Sequence, residues 1–146
     1  MFCLSLTLSL DEMKIRWATG LKSLRKHMID FNIDVMIIND PNNIYRITSH
    51  QVIAPNISQI YLIVPTDGNP ALICHNFIKP TFLQCHPYVD VFDSFEDESI
   101  IPGLVKKALE EKGYPDGRGK IGIEKKKTLC RYFRNMEKTY AQNKFC

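Results

Sequence analysis

The sequence predicts an α/β fold in which helices flank a mixed central sheet of about five to six strands. An amphipathic helical pattern near the amino terminus and short apolar runs separated by turn residues lead to this prediction. The turn Pro65-Thr-Asp-Gly-Asn69 joins two runs tightly, so those two strands must be antiparallel. The length of 146 residues and a content of 45% hydrophobic and 24% charged residues fit one ordinary globular domain.

The chain opens with an alternating segment, Phe2 to Leu10, in which every second residue is apolar. This is the period of a half-buried strand, and we expect residues 1–10 to form an amino-terminal arm. Ser9 to Glu12 reads Ser-Leu-Asp-Glu, a capping box that predicts the start of a helix. The predicted helix has an apolar stripe on the side opposite several basic residues. The stripe consists of Trp17, Leu21, Leu24, Met28 and Phe31, and the basic residues are Lys14, Lys22, Arg25 and Lys26.

The run Val35 to Ile38 is apolar throughout, which predicts a strand covered on both faces. Pro41 should stop it, and a helical turn that directs Ile44, Tyr45 and Ile47 inward should follow. Further strands are predicted at Ser58–Val64, Ala71–Cys74, Tyr88–Phe92 and Lys120–Glu124.

The second half of the chain should contain two more helices. The acidic run Asp93 to Glu98 is interpreted as the start of a helix over Ile100–Lys112, because the helix dipole favours acids there, and Gly113 should end it. A last helix should carry Leu129, Tyr132, Phe133, Met136 and Tyr140 on one side.

Two segments, Ile-Asp-Val-Met-Ile-Ile-Asn-Asp-Pro-Asn-Asn-Ile-Tyr-Arg-Ile-Thr from Ile33 and Lys-Ile-Gly-Ile-Glu from Lys120, carry a family resemblance. They resemble the amino-terminal domain of the creatinase, prolidase and aminopeptidase P family, and the order of elements is similar over residues 9–140. The resemblance implies a ribonuclease H-like α/β domain over residues 11–146. The positions that match the family motifs are Asp40, Pro41, Asn43, Tyr45, Thr48, Gly122 and Glu124.

The resemblance implies a non-catalytic lid and dimerisation domain, either as a fragment or as a stand-alone remnant. The parent enzyme would be a two-metal Xaa-Pro peptidase or an amidinohydrolase, whose divalent metal pair belongs to a carboxy-terminal pita-bread domain. We therefore expect no catalytic residue, metal ligand or cofactor in this chain. Candidates for substrate contact are His50 and Gln51, near the start of an expected lid loop, Ser49 to Asn56, and Arg46, one helical turn before it. The expected partner is a second copy or a catalytic domain.

Two other classes of function are open from the sequence, a basic interaction module and a small-molecule or nucleotide-binding module. The net charge is +3, but residues 1–117 hold ten basic and fourteen acidic residues, and residues 118–146 hold nine and two. The last helix could serve a basic interaction module, although we expect a solvated surface and no nucleic acid partner, because no recognition motif accompanies the charge. The second alternative is a small-molecule or nucleotide-binding module; the glycines near position 119 do not form the phosphate-binding pattern.

Five scattered cysteines predict a reducing, cytoplasmic environment, and the sequence predicts no membrane segment. Two Cys-His pairs, Cys74-His75 and Cys85-His86, have the residue types of a zinc site. Neighbours on a strand point to opposite faces, so we expect no zinc there, and instead surface histidines and buried cysteines.

Overall fold

A computed structural model describes residues 9–49, 60–76, 78–94, 98–115 and 119–124. These residues form four helices and five strands. In chain order they are α1 (Leu10–Asp30), β1 (Val35–Ile38), α2 (Pro41–Thr48), β2 (Tyr61–Pro65), β3 (Ala71–Cys74), α3 (Lys79–Cys85), β4 (Asp90–Asp93), α4 (Ile101–Glu111) and β5 (Ile121–Ile123).

The sheet is mixed and open, with strand order β4-β3-β2-β1-β5. Strands β1, β2 and β3 pair antiparallel, whereas β5 runs parallel to β1 and β4 parallel to β3. The tight turn after Pro65 therefore connects antiparallel neighbours as predicted. The mixed α/β class predicted from sequence is confirmed.

Helices cover both faces of the sheet, so the central strands are buried on both sides. On one face α4 packs on alternate strand residues, including Val35, Ile37 and Ile63. On the other face α1, α2 and α3 pack on the residues between them, including Ile38 and Leu62. This two-sided burial explains why the strands are continuous apolar runs.

Helix α1 begins with the predicted capping box. The Ser9 Oγ atom accepts a hydrogen bond from the backbone N–H of Glu12 at 3.2 Å, and the Ser9 N–H donates to the Glu12 carboxylate at 3.1 Å. The prediction that the alternating segment continues to Leu10 is wrong, because Leu10 is the first residue of α1. Residues 1–8 lie outside the described residues.

The apolar stripe of α1 is correct at Trp17 and Met28, which are buried, but wrong at Phe31, which is 74% exposed. The helix ends at Asp30, and Asn32 takes a left-handed conformation with φ 56°. The chain thus turns before Phe31 can follow the stripe onto the sheet.

Arg25, one of the basic residues opposite the predicted stripe, is partly buried and forms hydrogen bonds with distant backbone. Its Nε–H donates to the Pro65 carbonyl at 3.0 Å, and its Nη2 donates to the Gly68 carbonyl. Burial lowers the pKa of the guanidinium, and the nearby Asp67 carboxylate acts in the opposite direction. Arg25 therefore ties α1 to the β2–β3 turn.

Other element boundaries differ from the sequence prediction. Helix α3 was not predicted, because it has seven residues and buries only Phe82, too little for a detectable period. Strand β2 begins at Tyr61 rather than Ser58, and β4 covers Asp90–Asp93 rather than Tyr88–Phe92. Asp93 is thus a strand residue and not a helix-start acid. A 3-10 turn, Glu98–Ile100, leads into α4, and Gly113, two residues after the end of α4, has a positive φ of 89°.

Several predicted segments lie outside the described residues: most of the lid loop, including His50 and Gln51, and the whole last helix from Leu129 to Tyr140. Within the part of the chain that is described, no helix combines the length and apolar character that a membrane crossing requires.

Candidate functional site

The motif after β1 folds into a capped helix, α2. The Asp40 carboxylate accepts a hydrogen bond from the Asn42 N–H at 2.8 Å, and Pro41 occupies the first turn, where no N–H is needed. The Asp40 carbonyl accepts the first helical bond from the Ile44 N–H at 2.9 Å. The Asp-Pro pair therefore ends the strand and starts the helix.

Glu124 joins this helix start to the end of β5. Its Oε2 atom accepts hydrogen bonds from the backbone N–H groups of Asn39 at 2.9 Å and Asp40 at 2.7 Å, and its Oε1 atom accepts one from the Asn43 side chain. Its own N–H donates to the Ile37 carbonyl at 3.2 Å. We call this arrangement the Glu124 latch. It joins the two motifs that carried the family resemblance.

The parallel register of β1 and β5 makes the latch possible. Val35, Met36 and Ile37 lie opposite Ile121, Gly122 and Ile123, so both strands end at the same edge of the sheet. A Cβ atom on Gly122 would lie 2.7 Å from the Met36 sulfur and 3.1 Å from Ile33 side-chain atoms. The glycine allows this close side-chain packing.

The other end of α2 is held by contacts with its own backbone and with α1. The buried Thr48 hydroxyl donates to the Ile44 carbonyl at 2.7 Å, and Ser49 ends the helix in the left-handed conformation with φ 55°. A Cβ atom on Gly20 would lie 2.8 Å from the Ile47 carbonyl oxygen, so α1 and α2 are in close contact there. Both ends of α2 are thus anchored.

Two side chains of the α2 motif point outward from this anchored helix. Arg46 is exposed, and so is Tyr45, which the sequence analysis wrongly placed inward. Successive helical residues are rotated by about 100°, so burial of Ile44 directs the next two positions toward solvent. The tyrosine of the motif therefore lies on the surface.

A groove of about 350 Å³ lies between α1 and α2, and Arg16, Tyr45, Arg46 and Ser49 contribute to it. Arg16, an exposed residue of α1, was not among the candidate residues predicted from the sequence. No local pattern marks Arg16, and its place in one groove with Arg46 follows only from how α1 and α2 pack. Guanidinium groups recognise carboxylates by paired hydrogen bonds.

The Cys-His pairs do not form a metal site in the described residues. No group of three or more His, Cys, Asp or Glu side chains there is placed to hold an ion. Burial raises the pKa of the Cys74 thiol to about 12; Asp93 adds to the shift and Lys79 opposes it. The prediction of a surface histidine is wrong for His86, which is buried with its ring 5.3 Å from that of Trp17 and 4.7 Å from that of Phe82.

The fold and the latch define an α/β domain with helices on both sides of a mixed sheet. In this domain the Glu124 carboxylate, directly after β5, accepts hydrogen bonds from the two residues that follow β1. The chain belongs to the creatinase/prolidase N-terminal domain family, whose sequence pattern matches residues 21–146. The resemblance inferred from the sequence is therefore confirmed. A comparison with curated proteins finds no match.

Solved structures show the same fold at low sequence identity. The creatinase/prolidase N-terminal domain of an X-Pro dipeptidase from Streptococcus pyogenes has a TM-score of 0.66 and 20% identity, covering 87% of this chain and 92% of that chain. The corresponding domain of a putative metallopeptidase from Corynebacterium diphtheriae has a TM-score of 0.65 and 14% identity, covering 89% and 94%. A prolidase from Thermococcus sibiricus has a TM-score of 0.66 and 12% identity, covering 89% of this chain and 34% of that one.

Proposed function

We propose that this domain is the non-catalytic lid and dimerisation module of a metal-dependent Xaa-Pro peptidase or a creatinase-like hydrolase. Family membership supports the class, because the similar solved domains come from X-Pro dipeptidases and related peptidases. The observation that carries the lid role is the anchoring of α2. The Glu124 latch holds the start of α2, and Gly20 lies against the α2 backbone at Ile47. Arg46 is exposed, three residues before the first residue of the expected lid loop.

Arg46 has the chemistry to contact a substrate carboxylate. A guanidinium remains charged at all physiological pH values and offers a fork of donors that matches a carboxylate. Its helix is held by backbone hydrogen bonds and by packing, so the group would be presented with little loss of backbone entropy. In a dimer, Arg46 with His50 and Gln51 would be offered to a neighbouring active site.

The chemistry itself is assigned to a separate catalytic domain with its own divalent metal pair. We expect the purified chain to hold no stoichiometric metal and to hydrolyse no Xaa-Pro dipeptide, since the described residues assemble no ligand cluster. Elemental analysis and a glycyl-proline assay with added manganese measure this. A tightly held metal equivalent, or turnover that co-purifies with the protein, contradicts the proposal.

The dimerisation role predicts self-association of the isolated chain. The sequence predicts an apolar amino-terminal arm that a neighbour could bind, and exposed apolar side chains such as Ile15 and Tyr45 add apolar surface. Light scattering should show a mass that rises with protein concentration, and removal of residues 1–8 should weaken the association. A strict monomer over a wide concentration range, with and without residues 1–8, contradicts this role.

Arg46 should contribute to substrate contact rather than to stability. Arg46→Ala should change the free energy of unfolding by no more than about 0.5 kcal/mol, because the side chain is exposed. Ile44→Ala, two positions away and fully buried, should lower it by about 2 to 4 kcal/mol. Urea unfolding compares the two variants, and an Arg46→Ala loss close to that of Ile44→Ala contradicts the lid role. In a longer enzyme carrying this domain, Arg46→Ala should raise KM or lower turnover.

The cytoplasmic location is also a proposal. It rests on cysteine usage, because five scattered cysteines form no disulfide pattern in the sequence and Cys74 and Cys85 are free thiols in the structure.

A further inference from the structure

The side of α1 that faces away from the sheet exposes apolar side chains next to lysines. Ile15 and Ile29 are each 66% exposed, although isoleucine is usually buried. A groove of about 840 Å³ follows this side of the helix, with Ala18 and Ile29 among its apolar lining residues. We call this surface the α1 outer face. Exposed apolar side chains beside a groove are a feature of interaction sites.

Basic residues are concentrated on the α1 outer face. The groove is lined by Lys22, Lys26 and Arg25, with Asp30 as the acidic member of its lining. The smaller groove shares Thr19 and Ser23 with it and adds Arg16, so the described α1 residues that line the two grooves include four basic residues and one acidic residue. Residues 1–117 as a whole have ten basic and fourteen acidic residues. The positive surface is therefore local and suits an acidic partner.

The shape of the groove favours a peptide segment over a small molecule. Its described lining residues run from Ala18 to Asp30, about three turns of α1, whereas small-molecule sites are concave and enclose most of their ligand. An amphipathic helix instead lies along an elongated apolar surface and needs no enclosure. The apolar lining would accept its apolar side chains, and the lysines would flank them.

We propose that the α1 outer face binds an acidic amphipathic segment of a partner protein. Apolar side chains of the segment pack against Ala18 and Ile29, and its carboxylates pair with Lys22 and Lys26. Neither lysine forms an ion pair with a described residue, whereas Arg25 is engaged with the β2–β3 turn. The proposal is independent of the lid role, which depends on α2.

The test uses the full chain and a labelled synthetic helix built from alternating pairs of leucine and glutamate, with fluorescence anisotropy as the measurement. The double variant Lys22→Glu/Lys26→Glu should weaken binding by about tenfold or more, because two attractive contacts become repulsive. Ile29→Asp should also weaken it. The matched control is Lys106→Glu/Lys107→Glu, which makes the same change in net charge on α4, on the opposite face of the sheet.

Binding that is lost in the α1 variants, kept in the α4 control and reduced by salt supports the proposal. Equal binding by the wild type and the α1 variants overturns it, as does equal binding of a leucine-lysine helix. The proposal is also overturned if the protein does not bind the acidic helix and binds only vesicles that contain phosphatidylserine, or only single-stranded DNA. The lid role is tested separately, by comparing the unfolding of the Arg46→Ala and Ile44→Ala variants.

Discussion

Replacing Glu124 by alanine should lower the free energy of unfolding by about 3 kcal/mol. The carboxylate accepts hydrogen bonds from the backbone N–H groups of Asn39 and Asp40 and from the Asn43 side chain. Removing it leaves donors at a partly buried site without this acceptor, and each such loss costs about 1 to 3 kcal/mol. Urea unfolding followed by circular dichroism measures the change.

A matched control for this variant is Glu110→Ala. Glu110 is an exposed carboxylate on α4 whose ion pair with Lys106, at 3.9 Å, joins two residues one helical turn apart. Its loss should change stability by no more than about 0.5 kcal/mol. If Glu124→Ala costs no more than the control, the latch does not hold α2 to the end of β5. Glu124→Gln, which keeps one acceptor oxygen, should fall between the two.

Gly20→Ala should destabilise the domain by about 2 kcal/mol, although alanine is the better helix former. The added Cβ atom would lie 2.8 Å from the Ile47 carbonyl oxygen and 3.1 Å from its Cα atom, which are backbone atoms and cannot rotate away. Helices α1 and α2 would have to separate. Thermal and urea unfolding should both show the loss.

Gly103 provides the opposite control. It also lies within a helix, α4, but an added Cβ atom there would meet no atom within 4 Å. Gly103→Ala should therefore stabilise the protein by about 0.5 to 1 kcal/mol through helix propensity alone. A stabilising effect at both glycines would show that α1 and α2 do not need their close contact.

Much of the fold could be predicted because local patterns are strong in this chain. The capping box at Ser9 predicted the start of α1, the apolar run Val35–Ile38 predicted a two-sided strand, and the turn after Pro65 predicted antiparallel neighbours. Each pattern involves residues close in sequence, whose hydrogen bonds or burial follow from their own spacing. Where local signals were weak, at α3 and at the ends of β2 and β4, the boundaries were missed or shifted.

The candidate site could be predicted only in part. The sequence identified Asp40, Asn43 and Glu124 as motif positions, but their mutual hydrogen bonds span more than 80 positions of the chain. Only the parallel register of β1 and β5 brings them together. Arg16 gave no signal of its own, because its place beside Arg46 depends on how α1 crosses α2.

The sequence by itself determined the class of the domain, its family and the order of most elements, since these depend on spacing between near neighbours. The tertiary structure decided which side chains are exposed to solvent and which are buried or bound to other segments. Tyr45 lies on the surface, and His86 is buried with its ring close to the rings of Trp17 and Phe82. Arg25 donates a hydrogen bond to the Pro65 carbonyl, at the start of the β2–β3 turn. Such outcomes depend on contacts between distant segments, whose geometry exists only after the helices have packed on the sheet.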